Sequence, residues 1–153
     1  MTAPFAIAVA PNGTRRTKAD HPRLPISAAE IARDAGEALE AGAAMIHLHV
    51  RDRDGRHTLD AGLYRKAVKA VRAAVGDRLV IQVTTEAVGR YAPAEQIATI
   101  DTLRPESVSI ALREILPADG GDEGAVAAVF ERMEKAGTLH QIIIYDAAEL
   151  ARL

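Results

Sequence analysis

Short apolar runs alternate with amphipathic stretches along the whole of this 153-residue sequence. Five of the runs have the length of a buried strand, and apolar residues recur at helical spacing in the stretches between them. Continuous apolar strands that alternate with amphipathic helices are typical of a parallel sheet covered by helices. The sequence therefore predicts an α/β fold with five parallel strands, over residues 5–10, 45–50, 79–84, 107–112 and 141–145.

The predicted helices have recognisable ends. Ser27 and Glu30 form a capping box before the first helix, and Gly42 ends that helix. Pro93 takes the first-turn position of another helix, where its missing N–H costs nothing. The remaining predicted helical segments are residues 61–75, 122–136 and 147–153.

Two architectures fit this order of elements. A five-stranded doubly wound sheet of the flavodoxin type suits the length of the chain. A (β/α)8 TIM barrel needs roughly 200 residues or more, so this chain would then cover about the first five βα units. No linker or low-complexity segment interrupts residues 1–153, which we expect to form a single domain, partial in the barrel case. Periodicity alone does not separate the two.

Composition excludes several classes of function. Cysteine is absent, which rules out disulfides and thiolate metal sites. The net charge of −2 gives no electrostatic reason to expect nucleic acid or an anionic membrane as a partner. No apolar run reaches the length of a membrane span, and the N-terminal stretch lacks the basic and long apolar regions of a signal peptide. We therefore expect a cytoplasmic location.

The second predicted strand contains His47 and His49. Side chains alternate between the two faces of a strand, so these imidazoles should point the same way and Leu48 the other way. Imidazole is the commonest protein ligand of zinc, and one rigid strand would supply two ligands. Two histidines satisfied by hydrogen bonds are the alternative. The charged residues Arg51 and Asp52 directly downstream indicate a strand end that opens into a polar site, which favours the metal.

Polar residues follow every predicted strand. Because chemistry lies at the carboxyl ends of the strands in both architectures, we expect these side chains to meet at one rim. The other histidines are expected elsewhere, His21 in a surface loop and His57 and His140 facing solvent. The predicted rim comprises Asn12, Arg15, His47, His49, Arg51, Gln82, Thr84, Thr85, Glu86, Ser109, Arg113, Glu114, Tyr145 and Asp146.

Several short motifs are similar, in order and spacing, to those of a known family. They are APNG at residues 10–13, DHP at 20–22, LPI at 24–26, AGA at 41–43, HLHVRD at 47–52, QVTT at 82–85 and PESVS at 105–109. With these motifs the sequence resembles the β-keto acid cleavage enzymes, a family that includes the 3-keto-5-aminohexanoate cleavage enzyme of lysine fermentation. The resemblance covers essentially the whole chain and corresponds to the N-terminal half of the family's proteins.

The resemblance implies a (β/α)8 barrel that binds a divalent zinc ion. It also implies an acyl transfer in which a β-keto acid and acetyl-CoA give acetoacetate and a new acyl-CoA. By the family pattern, His47 and His49 are two of the zinc ligands. Thr84 and Ser109 stand where the family has hydroxyls that contact the keto acid, so both are candidate catalytic and substrate-binding residues.

Two arginines depart from the family pattern at positions that concern the substrate. Arg15 stands where the amino-substrate enzyme has an acidic residue that receives the substrate's ammonium group. An arginine reverses that charge preference, which predicts a β-keto acid with an anionic or neutral distal group. Arg113 stands where many members have a small polar residue, and it is a candidate for a second cationic contact with the substrate.

The proteins of the family are considerably longer than this chain. In them a glutamate ligand and the catalytic aspartate come from the last barrel strand, beyond the segment that this chain matches. Two histidines alone hold zinc poorly, so we expect this chain by itself to be inactive. Its first and last strands would be unpaired edges, which favours association into a homo-oligomer.

Two other functions fit the same residues. A metal-dependent hydrolase on a similar barrel would also use a histidine pair at a strand end, in that case to activate water, and would not depend on acetyl-CoA. A five-stranded α/β module that binds a ligand or partner without chemistry would be a stable monomer that ignores zinc.

Overall fold

A computed structural model describes residues 5–153 as strands alternating with helices. The strands are β1 (Ala8–Val9), β2 (Met45–His47), β3 (Val50–Arg51), β4 (His57–Thr58), β5 (Val80–Thr84), β6 (Ser107–Ala111) and β7 (Leu139–Ile143). The helices are α1 (Ala28–Glu40), α2 (Ala61–Val75), α3 (Pro93–Leu103), α4 (Leu112–Ile115), α5 (Glu123–Ala136) and α6 (Ala147–Leu150). Residues 1–4, where the stretch tested for signal-peptide features begins, lie outside the described part.

The described chain forms two compact units, and the boundary between them falls inside β5, after Gln82. In the first unit, β1 pairs in parallel with β2, and β2 pairs in parallel with β5, where His47 lies opposite Gln82. A doubly wound sheet of the flavodoxin type would place the first strand between the second and the third. Here β2 lies between β1 and β5, as in a barrel, where strands follow chain order. The predicted TIM-barrel fold class is confirmed, and the doubly wound alternative is wrong.

Helices α1 and α2 of the first unit are in contact, and each buries a small side chain. Ala35 of α1 and Ala67 of α2 are almost fully buried, together with the larger Ile31 and Tyr64. Small residues on the buried face of a helix let its packing neighbours approach closely, since the distance from a helix axis depends on the side chains at the contact. An alanine-rich sequence with only 3% aromatic residues builds a core in this way.

The helix ends of this unit agree with the sequence prediction. The side chain of Ser27 accepts a hydrogen bond from the N–H of Glu30, and the Glu30 carboxylate accepts one from the N–H of Ser27, which completes the capping box. Helix α2 has the predicted bounds.

The second predicted strand is broken in the structure. Its parallel pairing ends at His47, and the chain resumes as β3, which pairs antiparallel with β4 in a short hairpin. The Asp52 carboxylate accepts hydrogen bonds from the backbone N–H groups of Asp54 and Arg56, and Gly55 adopts a φ of 76° in the turn. This local turn pulls the chain out of the parallel sheet, so the prediction of one continuous strand over residues 45–50 is wrong.

The second unit contains the end of β5, followed by β6 and β7, which are parallel with Ser109 opposite Gln141. The short helix α4 follows β6 without a loop and buries Leu112 and Ile115. No separate helix was predicted at this point, because its four residues are too few to show a helical period.

The last strand of the second unit begins two residues before its predicted start. Thr138 Oγ1 donates a hydrogen bond to the carbonyl oxygen of Pro105, and the N–H of Leu139 donates to that of Glu106. These bonds join the chain to the two residues that precede β6, directly after Gly137 has ended α5. Strand β7 therefore starts at Leu139. Across residues 5–153, no helix is both long enough and apolar enough to cross a membrane.

Candidate active site

His47 and His49 lie side by side at the carboxyl end of β2. Their Nε2 atoms are 3.0 Å apart, and their rings meet edge to face with centroids 4.8 Å apart. Leu48 between them is completely buried. The prediction that the two imidazoles share one side is confirmed, although only His47 lies within a regular strand.

Gln82 orients the ring of His47. The two residues are opposite each other in β2 and β5, and His47 Nδ1 lies 2.8 Å from Gln82 Oε1. An amide oxygen only accepts hydrogen bonds, so Nδ1 is the donor and carries a proton. In neutral His47 the lone pair is then on Nε2, which faces Nε2 of His49. A hydrogen bond of this kind to the outer ring nitrogen is what fixes the tautomer of a metal-binding histidine.

His49 is held in its neutral form. Burial, followed by the positive charges that His47, His57 and Arg51 can carry, lowers the pKa of His49 from 6.5 to about 3. The side chain is 3% exposed, so protonation would place a charge where water cannot solvate it. Neutral imidazole is the form that binds metals, and His49 holds this form at neutral pH without losing a proton.

His57 is a third histidine of this cluster, and the prediction that it faces solvent is wrong. It is 4% exposed, and its ring centroid lies 5.4 Å from that of His49. The cause is the hairpin, in which the pairing of His57 with Arg51 turns the imidazole inward. An Asp-Gly pair between two short strand-like runs is a hairpin signal, and the sequence contains it at Asp54 and Gly55.

Asn12 attaches the segment after β1 to His49. The N–H of His49 donates to Asn12 Oδ1 at 3.2 Å, and Asn12 Nδ2 donates to the carbonyl oxygen of His49 at 2.8 Å. Asn12 Nδ2 also donates to the carbonyl oxygen of Pro25 at 3.1 Å. The Asn12 side chain is 4% exposed, so water does not reach these backbone groups, and the amide supplies their hydrogen bonds.

Arg51 fastens the loop that carries Arg15. Its guanidinium donates to the carbonyl oxygens of Gly13 and Arg16 at 2.6 and 3.0 Å, and to that of Gly55 at 3.1 Å. Arg51 is buried, whereas Arg15 between the two fastened residues is exposed. The buried arginine thus fixes the backbone on both sides of the exposed one.

In the second unit, two buried hydroxyls lie at the end of β5 and in the middle of β6. Thr84 is the last residue of β5, and its Oγ1 accepts a hydrogen bond from the N–H of Glu86 at 3.0 Å. Ser109 is 3% exposed, and its Oγ has no hydrogen-bond partner in the described structure. A buried hydroxyl without a partner is costly, and it is available to a ligand.

The guanidinium of Arg113 is paired with carboxylates of the same unit. It forms ion pairs with Glu149 and, at 3.1 Å, with Asp146, and it lies 4.1 Å from the centre of the Tyr145 ring. Three of the predicted rim residues, Arg113, Tyr145 and Asp146, therefore contact one another.

Comparison with known proteins decides the family. The sequence model of the beta-keto acid cleavage enzyme family matches residues 4–153. The chain belongs to the β-keto acid cleavage enzyme family.

Two curated relatives and one solved structure show what this family member is similar to. It is 38% identical over 109 residues to the 3-keto-5-aminohexanoate cleavage enzyme of Fusobacterium nucleatum, covering 66% of the chain and 40% of the relative. It is 32% identical over 111 residues to the 3-oxoadipate:acetyl-CoA acetyltransferase of Cupriavidus necator, covering 72% of the chain and 38% of the relative. The ternary complex of ObcA with C4-CoA adduct and oxalate shares the fold, with a TM-score of 0.69, 21% identity, and coverage of 86% of the chain and 33% of ObcA. The chain spans less than half the length of each.

The predicted site residues of this family member fall into separate groups. In the first unit, hydrogen bonds join His47 to Gln82 and to His49, and join His49 to Asn12. In the second unit, the N–H of Thr85 donates to the carbonyl oxygen of Ser109 at 3.2 Å. Within residues 5–153, no three His, Cys, Asp or Glu side chains converge on one cation position. Of the predicted site residues, His47 and His49 are the two that the structure places with ring nitrogens facing each other.

Proposed function

We propose that this chain supplies two zinc ligands, His47 and His49, to an acetyl-CoA-dependent β-keto acid cleavage enzyme. The reaction joins a β-keto acid and acetyl-CoA and releases acetoacetate and a new acyl-CoA. One observation carries the proposal: the Nε2 atoms of the two histidines face each other 3.0 Å apart at a strand end, in a chain of this family.

The residues present fit a zinc ion. Tetrahedral zinc with Zn–N distances of about 2.0–2.1 Å separates two imidazole nitrogens by roughly 3.3 Å, close to the distance in the structure. Gln82 keeps the proton of His47 on Nδ1, and His49 is neutral. A cation between the rings would take the place of the proton between the two Nε2 atoms, and that proton would move to Nδ1 of His49, so neither imidazole would lose its N–H. Catalytic zinc sites normally use three protein ligands. We therefore expect the chain alone to hold zinc weakly and not to turn over substrate.

A bound zinc ion would polarise the ketone oxygen of the keto acid as a Lewis acid. The hydroxyl groups of this chain would donate hydrogen bonds to the substrate oxygen atoms that gain negative charge during the reaction. We assign this to Ser109, whose buried Oγ has no hydrogen-bond partner among residues 5–153, and to Thr84 at the end of β5. The Thr84 hydroxyl accepts from the N–H of Glu86, which holds its oxygen at the end of the strand.

The distal group of the substrate is proposed to be anionic, because Arg15 presents an exposed cation on a loop that Arg51 fixes. The relative from Cupriavidus necator, named for 3-oxoadipate, supports this choice, since that keto acid carries a second carboxylate. With 3-oxoadipate and acetyl-CoA, the expected products are acetoacetate and succinyl-CoA. Arg113 stays a weaker candidate for substrate contact, because its guanidinium is paired with Asp146 and Glu149.

Zinc titration of the purified chain tests the proposal. Calorimetry should show one zinc ion per pair of histidines, with binding abolished in His47→Ala and His49→Ala and unchanged in His140→Ala, which alters an exposed histidine. Equal zinc binding by the unaltered chain and all three variants would contradict the proposal. Formation of succinyl-CoA should require acetyl-CoA in any assembly that is active, whereas turnover of the keto acid without acetyl-CoA would indicate a hydrolase.

A further inference from the structure

The two histidines are held in different ways. His47 lies in β2, between two parallel strands, and Gln82 also fixes its ring. His49 lies after the end of β2 and before β3. Regular strand pairing therefore sets the position of His47 and not that of His49.

One side chain provides the pairing that the strand lacks at His49. The Asn12 amide accepts from the N–H of His49 and donates to its carbonyl oxygen, as the backbone of a neighbouring strand would. The parallel pairing of β1 with β2 ends at Val9, three residues before Asn12. Asn12 and His49 stand three positions beyond that last pair, in the same register, so the side chain continues the attachment of the first strand segment to the second.

We propose that Asn12 is the positioning residue that sets the backbone of His49 and so brings its Nε2 to 3.0 Å from that of His47. The part of this inference that concerns metal affinity rests on the proposed function. The part that concerns the geometry of His49 does not, because it applies to the metal-free chain.

The chemistry of the asparagine side chain suits this role. An amide has one acceptor oxygen and two donor protons, and Asn12 uses the oxygen for the His49 N–H and the two protons for the carbonyl oxygens of His49 and Pro25. Pro25 stands two residues before Ser27, the cap of α1. Asn12 therefore ties three segments together, and an aspartate, which has no donor protons when ionised, would turn two attractive contacts into repulsive ones.

Variants at Asn12 test the inference on metal-free protein. In Asn12→Ala and Asn12→Asp, we expect the imidazole ¹⁵N and ¹H resonances of His49 to shift and the signal of the proton shared with His47 to be lost. The resonances of the exposed His140 should not move. Thr138→Val is the matched control, since it removes one buried hydrogen bond to a carbonyl oxygen, that of Pro105, in the second unit. Unchanged His49 resonances in a folded Asn12→Ala protein would overturn the inference.

A measurement on the unaltered chain covers the case in which the variants do not fold. The two side-chain amide protons of Asn12 should exchange with solvent at least tenfold more slowly than those of asparagine in a short unstructured peptide, because both are donated to buried carbonyl groups. Equal exchange rates would overturn the inference.

Zinc affinity separates this inference from the proposed function. Loss of the supporting contacts of a metal ligand lowers affinity about 10- to 100-fold, which is the loss expected for Asn12→Asp relative to Thr138→Val. If the unaltered chain binds no zinc while the His49 resonances still respond to Asn12→Ala, the metal role fails and the positioning role stands. If zinc binds and its affinity is the same in the folded Asn12 variants, the positioning role fails.

Discussion

His47 and Gln82 face each other across two parallel strands, and a hydrogen bond of 2.8 Å joins His47 Nδ1 to Gln82 Oε1. The sheet therefore sets both the position of this imidazole and the nitrogen that carries its proton. The nitrogen left for other partners is Nε2, which points at His49.

Removal of the Gln82 acceptor should release the ring of His47. In Gln82→Leu we expect zinc affinity to fall about 10- to 100-fold and the free energy of unfolding to fall by about 1 kcal/mol. Gln82→Glu keeps an acceptor at the same place and is the matched control, with zinc affinity equal to or above that of the unaltered chain. Competition with a chromogenic chelator gives both affinities, and equal loss in the two variants would contradict the role of the acceptor.

Stability should depend on pH through His49. Its pKa is about 3 when folded and 6.5 when unfolded, so between these values the unfolded chain binds more protons. The contribution is fully present above pH 6.5 and is lost as the pH falls towards 3, with a slope of up to about 1.4 kcal/mol per pH unit. Urea denaturation of metal-free protein from pH 8 to pH 4 measures the slope.

The matched comparison for this pH effect uses two histidine variants. His49→Gln removes the titrating group and should flatten the curve over that interval, whereas His140→Gln alters an exposed histidine and should leave it unchanged. Parallel curves for the unaltered chain and His49→Gln would show that His49 does not account for the slope.

Arg51 should protect its loop from proteolysis. Arg51→Met removes the donors to the carbonyl oxygens of Gly13 and Arg16, and hydrogen bonds to a charged group contribute roughly 1.5–3 kcal/mol. We expect trypsin to cleave after Arg15 and Arg16 several-fold faster in this variant, at a temperature where the rest of the chain is intact. Arg56→Met, at an exposed position of the hairpin, is the control and should cleave at the original rate.

The buried face of α1 should not tolerate a larger side chain. Ala35→Leu inserts three carbon atoms where the native residue is fully buried, and overpacking of this kind costs about 1–3 kcal/mol. Ala29→Leu makes the same change at an exposed position of the same helix and should cost less than about 0.5 kcal/mol. Thermal denaturation followed by circular dichroism compares the two, and equal losses would contradict the packing described here.

Arg15 should select the charge of the substrate. In Arg15→Glu we expect binding of 3-oxoadipate to weaken and binding of a β-keto acid with a distal ammonium group to strengthen. Arg53→Glu makes the same charge change at another exposed position and should leave both affinities unaltered. Calorimetry with the two keto acids measures the ratio of affinities, and an unchanged ratio in Arg15→Glu would remove this residue from substrate recognition.

Local sequence signals predicted most of the elements because those elements depend on local chemistry. The capping box at Ser27, the first-turn position of Pro93 and the periodicity of residues 61–75 all correspond to observed helix features. The shared side of His47 and His49 follows from strand alternation, and it survives the break after His47 because Asn12 continues the pairing pattern.

The errors arose where distant parts of the chain decide the structure. Asn12 and His49 are 37 positions apart, and nothing in the stretch around His49 shows that its strand pairing stops and a side chain takes over. Burial of His57 depends on a hairpin whose two strands have two residues each, too short for an alternating pattern. The start of β7 depends on contacts of Thr138 and Leu139 with residues more than thirty positions earlier.

The hairpin of β3 and β4 has a practical consequence for spectroscopy. Its tip carries the exposed side chain of Arg53, while His57 lies buried at its base beside His49. Because the chain has no cysteine, Arg53→Cys would create a single attachment point for a nitroxide or a fluorophore. A paramagnetic ion placed between His47 and His49 would then quench the fluorophore or broaden the nitroxide signal, so a label on the hairpin would report occupancy of the site.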